Sequence, residues 1–236
     1  MMGRLESDAK NWTEARETLR DLLRKFPQSP LVPVARYGVA ESFYQEKEYD
    51  RSLQLFEILN QDKRHEKGDS WGAMVQLRRA QLLVEKGDLA SAIAVAENIE
   101  KDFPNFSLQH EADYLLGRAY ASRGDFRLAR ASYAKVMASD SHRDNEITPM
   151  AQWMTGETYF HQKKYILAIK AYEALVSDTN YPKWQAASYL QIGKCYESLG
   201  NPEQAEKAYS RVVTRFPQSQ YVEEAQQRMQ ILSQSH

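Results

Sequence analysis

Residues 115–136 read LLGRAYASRGDFRLARASYAKV. Gly117 is followed three places on by Tyr120, then by the turn-forming run RGDF, then by Ala129, Tyr133 and Val136. Offsets of four and three put Ala129, Tyr133 and Val136 on one stripe of a helix. Gly117 and Tyr120 mark a second helix, whose small residue admits a neighbouring helix while the ring fills the adjacent gap. The short polar run between them is too brief for anything but an antiparallel helix hairpin.

The same arrangement recurs along the chain. The small column of the second helices reads Ala15, Ser52, Ala92, Ala129, Ala168 and Ala205, spaced by subtraction at 37, 40, 37, 39 and 37 residues. Four places after each stand Leu19, Phe56, Ala96, Tyr133, Tyr172 and Tyr209, and three further on Leu22, Leu59, Ile99, Val136, Leu175 and Val212. In the first helices Ala40, Ala80, Gly117, Gly156 and Gly193 precede Phe43, Leu83, Tyr120, Tyr159 and Tyr196 by three. The connections KEY, KGDL, RGDF, KKY and GNP separate each pair. A period of this length predicts a stack of hairpins, each burying what the previous one leaves exposed.

These residues resemble the tetratricopeptide repeat family, through its L-G-x-x-Y, G-D-F/Y, Ala and Tyr positions in 115–136. The resemblance runs from about residue 11 to the end and implies an all-α, right-handed superhelical solenoid. Its expected units are a partial one at 1–29, then 30–66, 70–105, 107–141, 147–181 and 183–217, with a capping helix at 219–234. Arg79 stands where Leu is usual, Ala96 replaces an aromatic, and the units exceed the common length of about 34 residues. The extra length carries its own signature in FPQSPLVPVA (26–35), FPNFSLQHEA (103–112) and FPQSQYVEEA (216–225). Pro stops the preceding helix, and the polar residues after it can cap the next. Repeats of this build are similar to those of bacterial envelope proteins of the BamD and CpoB type.

The totals agree with a binding protein. With 31 basic and 32 acidic side chains among 236 residues the formal charge is −1, which opposes a nucleic-acid partner. No apolar run approaches the roughly 20 residues of a membrane span, and MMGRLESDAKNW has no signal-peptide core. Residues 1–10 are too short and polar to cover Leu19 and Leu22, so the chain reads as a fragment or an incomplete gene model. If the lost part holds a signal or lipobox, the expected compartment is the periplasm or the outer membrane, and otherwise the cytoplasm. The uncovered end also suggests self-association.

One fragment points elsewhere. GDSWG (68–72) fits the G-x-S-x-G pattern of a serine-hydrolase elbow, but that elbow needs a strand running into a helix. Upstream lies the charged run LNQDKRHEK, and downstream a helical pattern, so Asp69 or Ser70 is expected to cap a helix. Asn11 is read as another cap, and Cys195 as a small apolar filler. His65, His110, His142, His161 and His236 stand at no metal-ligand spacing. No catalytic residue, cofactor or metal site is expected.

The resemblance implies that first helices line a concave groove holding a partner peptide or helix. The candidate groove residues are Tyr37, Glu41, Tyr44, Gln81, Tyr114, Arg118, Trp153, Glu157, Phe160, His161 and Lys194. Trp153, Phe160 and Tyr114 would be the apolar anchors, with Glu157, Arg118 and Lys194 setting charge preference. Exposure is expected for Trp153, Phe160 and His161, whereas Tyr37 and Tyr114 fit the groove or the packing between repeats equally. Positions 41, 81, 118, 157 and 194 do not match the Lys/Asn clamp for a partner's C-terminal carboxylate, which disfavours an acidic tail. The function so implied is a non-catalytic scaffold, in cell-envelope assembly or division. The alternative is a cytosolic adaptor or the interaction module of a larger protein.

Overall fold

The computed structural model describes residues 11–61, 70–138, 146–177 and 181–234, with Ser70 described by its backbone only. Among them are twelve helices and no strand: α1 (Trp12–Lys25), α2 (Val32–Gln45), α3 (Tyr49–Asn60), α4 (Ser70–Glu85), α5 (Leu89–Asp102), α6 (Gln109–Arg123), α7 (Phe126–Ala138), α8 (Ile147–His161), α9 (Tyr165–Val176), α10 (Pro182–Ser198), α11 (Pro202–Arg215) and α12 (Val222–Gln234). Contacts divide the chain into two compact units, 1–119 and 120–236. In the first, consecutive helices from α1 to α5 pack on one another, and in the second consecutive helices from α7 to α12 do the same.

The hairpin turns are built one way. Lys47, Gly87, Gly124, Lys163 and Gly200 each adopt a left-handed backbone, with φ between 58° and 86°. The following residue then donates its N–H back to the ring column of the first helix. Glu48 reaches the Phe43 carbonyl, Asp88 Leu83, Asp125 Tyr120, Lys164 Tyr159 and Asn201 Tyr196, all at 2.9 Å. This six-to-one bond satisfies a carbonyl that a helix end otherwise leaves unpaired. Asp88 and Asn201 then cap the second helix, accepting from the Ser91 N–H at 3.1 Å and the Gln204 N–H at 3.2 Å.

Packing follows the columns. Ser52, Phe56 and Leu59 of α3, Ala129, Tyr133 and Val136 of α7, and Ala205, Tyr209 and Val212 of α11 are all buried. In α1 the equivalent Ala15, Leu19 and Leu22 are only half-buried, and Phe26 is 62% exposed. Among the described residues, the helix that packs closely on α1 is α2. Close approach is tightest at Gly156 and Gly193, whose hydrogen faces the rings of Tyr172 and Tyr209.

The three Phe-Pro boundaries are superposable in their bonding. Phe26, Phe103 and Phe216 end α1, α5 and α11, each donating its N–H to Leu22, Ile99 or Val212. Each Phe carbonyl then accepts the N–H three residues on, at Ser29, Phe106 and Ser219. The Ser29 and Ser219 hydroxyls take the N–H groups of Leu31 and Tyr221, as the polar residues there suggested. Ala35, Ala112 and Ala225, nine places past each Phe, are buried. Asn11 does precede α1, but its side chain makes no capping bond; the helix instead starts on its backbone carbonyl.

Candidate functional site

The candidate residues fall on both units. In the first, Tyr37 belongs to the core rather than to a surface. It is 9% exposed, with ring edges against Phe56 at 5.2 Å and Trp71 at 5.1 Å. Burial raises its pKa, opposed by the Arg78 charge. Glu41, Tyr44 and Gln81 do come together, around a residue that sequence reasoning passed over. Arg78 of α4 lies 2.7 Å from Glu41 through Nε–Oε2 and 2.9 Å through Nη2–Oε1. Its guanidinium stands 4.6 Å over the Tyr44 ring and donates to Gln81 Oε1 at 2.5 Å. A planar fork bonded to a carboxylate and stacked on a ring is the arrangement that suits arginine best. Tyr114 is half-buried, its pKa raised by burial against the opposing Arg118 charge, and Arg118 is exposed.

In the second unit α8 carries Trp153, Glu157, Phe160 and His161. Trp153 and Phe160 are half-buried, not exposed as expected, because neighbouring helices supply rings to cover them. Trp153 lies 5.9 Å from Trp184 of α10 and 6.5 Å from Tyr172 of α9. Phe160 meets the edge of Tyr165 at 5.5 Å. His161 is exposed and stacks on Phe126 at 6.3 Å. The remaining candidate, Lys194, is held in an ion pair with Glu224 of α12 at 2.7 Å.

Glu157 is the chemically unusual member. Its Oε1 accepts the Tyr172 hydroxyl at 2.5 Å, and no ion pair reaches it among the described residues. Burial pushes its pKa up; the Tyr172 hydrogen bond and the charges of His161 and Lys194 offset only part of that. The buried Cys195 thiol is pushed up to about 12 by desolvation and then by Glu157, which leaves it an inert filler.

Ser70 is the first residue of α4, and residues 62–69, which precede it, lie outside the described residues. Asp69 and the Ser70 side chain, with His65, His142 and His236, lie outside the described residues. No described helix is long and apolar enough to cross a membrane. An open cavity of about 550 Å³ at the last Phe-Pro boundary is lined by Lys183, Arg215, Phe216 and Tyr221 among others, and by none of the candidate groove residues.

Tetratricopeptide repeat models match residues 1–62, 77–144 and 114–183, and a second such model matches 187–219. The chain belongs to the tetratricopeptide repeat family. Its fold class is therefore the all-α repeat solenoid, and proteins of this class are in general non-catalytic interaction scaffolds. Solved structures agree on the fold. PilW, a type IV pilus biogenesis factor, aligns at TM-score 0.67 and 20% identity over 91% of this chain and 90% of its own. BtubC from P. vanneervenii aligns at 0.68 and 16% over 89% of each chain. MamA aligns at 0.61 and 17% over 78% of this chain and 92% of its own. No curated protein matches the sequence significantly.

Proposed function

We propose that this chain is a non-catalytic scaffold that holds a peptide or helix of a partner protein against its first helices, in bacterial cell-envelope assembly. The observation that carries the reading is the face of α8. Trp153, Glu157 and Phe160 stand there at offsets of four and three, half-buried, the carboxylate without an ion pair among the described residues. Rings beside a carboxylate that has no ion pair among the described residues give apolar contact area and a polar reading head together. The Phe-Pro boundaries and the likeness to PilW support the envelope setting.

The test is affinity capture from the native organism, followed by mass spectrometry, with wild type and the Trp153→Ala, Phe160→Ala double variant. A partner enriched by wild type and lost by the variant is the expected result, with helical circular dichroism retained. Equal capture by a folded double variant removes α8 from the binding face. Fractionation of the native cells reads the compartment, and a strictly cytosolic protein would favour the adaptor reading.

A second reading rests on α1. Leu19, Leu22 and Leu23 are half-buried, and Phe26 and Leu31 are 62% and 53% exposed, so this end can pair with a second copy. Light scattering that finds only monomer at high concentration overturns it.

A further inference from the structure

The repeats permit an internal comparison at Glu157. Glu41 directly follows the small residue Ala40, and Tyr44 stands three places later; Glu157 directly follows Gly156, and Phe160 stands three places later. The two positions are thus the same carboxylate and the same ring in different repeats. In the first, Arg78 of the next first helix fills the space between them, bonded to Glu41 and stacked on Tyr44. Arg78 precedes its small residue, Ala80, by two; the residue that precedes Gly193 by two is Gln191. The arginine has been replaced by an uncharged and shorter side chain. Its Oε1 is buried and has no hydrogen-bond partner among the described residues.

Two charges of α10 are answered from α12, whereas Arg118 of α6 is exposed to solvent. Glu197 accepts the Tyr209 hydroxyl at 2.8 Å, as Glu157 accepts that of Tyr172, but Arg228 of α12 also bonds its second oxygen at 2.7 Å. Lys194, at the position of Glu157 one repeat later, is answered by Glu224. Glu157 keeps the tyrosine and lacks the cation. We infer that Glu157, Phe160 and Gln191 form a receptor for one arginine side chain of a protein partner lying on α8 and α10. This rests on the scaffold reading above and names the chemistry of the segment bound.

Arginine is favoured over lysine because the equivalent pair, Glu41 and Tyr44, holds a planar fork between carboxylate and ring face, which a compact ammonium does not match. The guanidinium would also bring donors to the unpartnered Gln191 oxygen. Lys194 does not block the place, since its ammonium is held by Glu224. The arginine is taken as chain-borne because the face that carries the site is the one the scaffold reading gives to a partner protein.

The probe is N-acetyl-L-arginine amide, titrated into the full chain while the Gln191 side-chain amide and the Phe160 ring are followed by NMR. A saturable shift is expected, at least tenfold weaker with N-acetyl-citrulline amide, which keeps the shape and loses the charge. Glu157→Gln, which can still accept from Tyr172, should weaken binding at least tenfold. Gln191→Arg should abolish it by filling the site from within. No saturable shift, or equal binding by citrulline, by Glu157→Gln or by Gln191→Arg, overturns the inference. Tighter binding of free L-arginine than of the capped form would mark a metabolite site and also overturns it. A partner captured through Trp153 and Phe160 whose binding ignores Glu157→Gln refutes only this inference and leaves the scaffold reading standing.

Discussion

Gly156→Ala is the most direct perturbation of the packing that supports this site. A Cβ at Gly156 would stand 2.6 Å from Tyr172 Cδ1 and 2.7 Å from Cζ, with Cε1 closer still. The ring cannot swing aside cheaply, because Tyr172 is 0% exposed and its hydroxyl is bonded to Glu157. Overpacking of this kind costs about 1–3 kcal/mol. Breaking a hydrogen bond to a charged group adds about 1.5–3 kcal/mol, and the better helix propensity of Ala returns about 1 kcal/mol. The net expectation is a loss of about 3 kcal/mol, or a fall in Tm of roughly 6–12 °C for a chain of this size. Urea denaturation followed by circular dichroism reads it directly; if the array unfolds in steps, the loss falls on the transition that carries α8 to α10. Tyr172→Leu provides the control, since the shorter side chain vacates the clash. In that background the further penalty of Gly156→Ala should fall below about 1 kcal/mol. A loss under about 1 kcal/mol in wild type, or an equal loss in both backgrounds, refutes the reasoning. Gly193→Ala should behave alike, because its Cβ would stand 2.6 Å from Tyr209 Cδ1 and Cζ.

Three further outcomes follow from the described geometry. Lys47→Gly and Lys163→Gly relieve left-handed backbones at φ 61° and 58° and should each stabilise by about 0.5–1 kcal/mol in the same denaturation assay. Glu157 has its pKa raised by burial, so only between the ordinary and the raised value does the native state bind more protons than the unfolded chain. Its contribution is present below the ordinary value of 4.5 and is lost as pH rises through the folded value, and Glu157→Gln should flatten the stability profile across that window. Cys195, buried and with its thiol pushed up to about 12, should resist dithionitrobenzoate in the native protein and react fully in denaturant.

The fold was legible because burial in a stacked hairpin is carried by a few columns at helical spacing. Ala168, Tyr172 and Leu175 could be read as one stripe from their offsets, and all three are buried. Leu19 and Leu22, on the matching stripe of α1, are half-buried. The candidate face was harder, because exposure depends on the helix that comes next. Trp153 and Phe160 were assigned to solvent from α8 alone, yet Trp184 and Tyr165 arrive from other helices to cover part of each. Arg78 was missed for the same reason. Beside Arg79, which bonds Glu57 at 2.8 Å, it reads as one of two surface charges. Only the register between α2 and α4 shows that it closes over Glu41. The signal that could have found it is the pairing of a charge two places before one small residue with an opposite charge one place after the previous one.

That register also links stability to recognition. Gly156 lets the Tyr172 ring lie against α8, and the ring's hydroxyl fixes the Glu157 carboxylate, so the acceptor is set before any partner arrives. A hydrogen bond from a buried tyrosine lowers the cost of holding that charge away from water but does not cancel it, as the raised pKa shows. Around Glu197 the remaining cost is offset within the chain by Arg228. Around Glu41 it is offset by Arg78. Replacing the arginine by Gln191 leaves the ring and carboxylate in place while withdrawing the cation that made them a brace between repeats. An ion pair between neighbouring helices thereby becomes half of an ion pair between molecules, because the deficit left by one substitution is the free energy that a partner's guanidinium can recover.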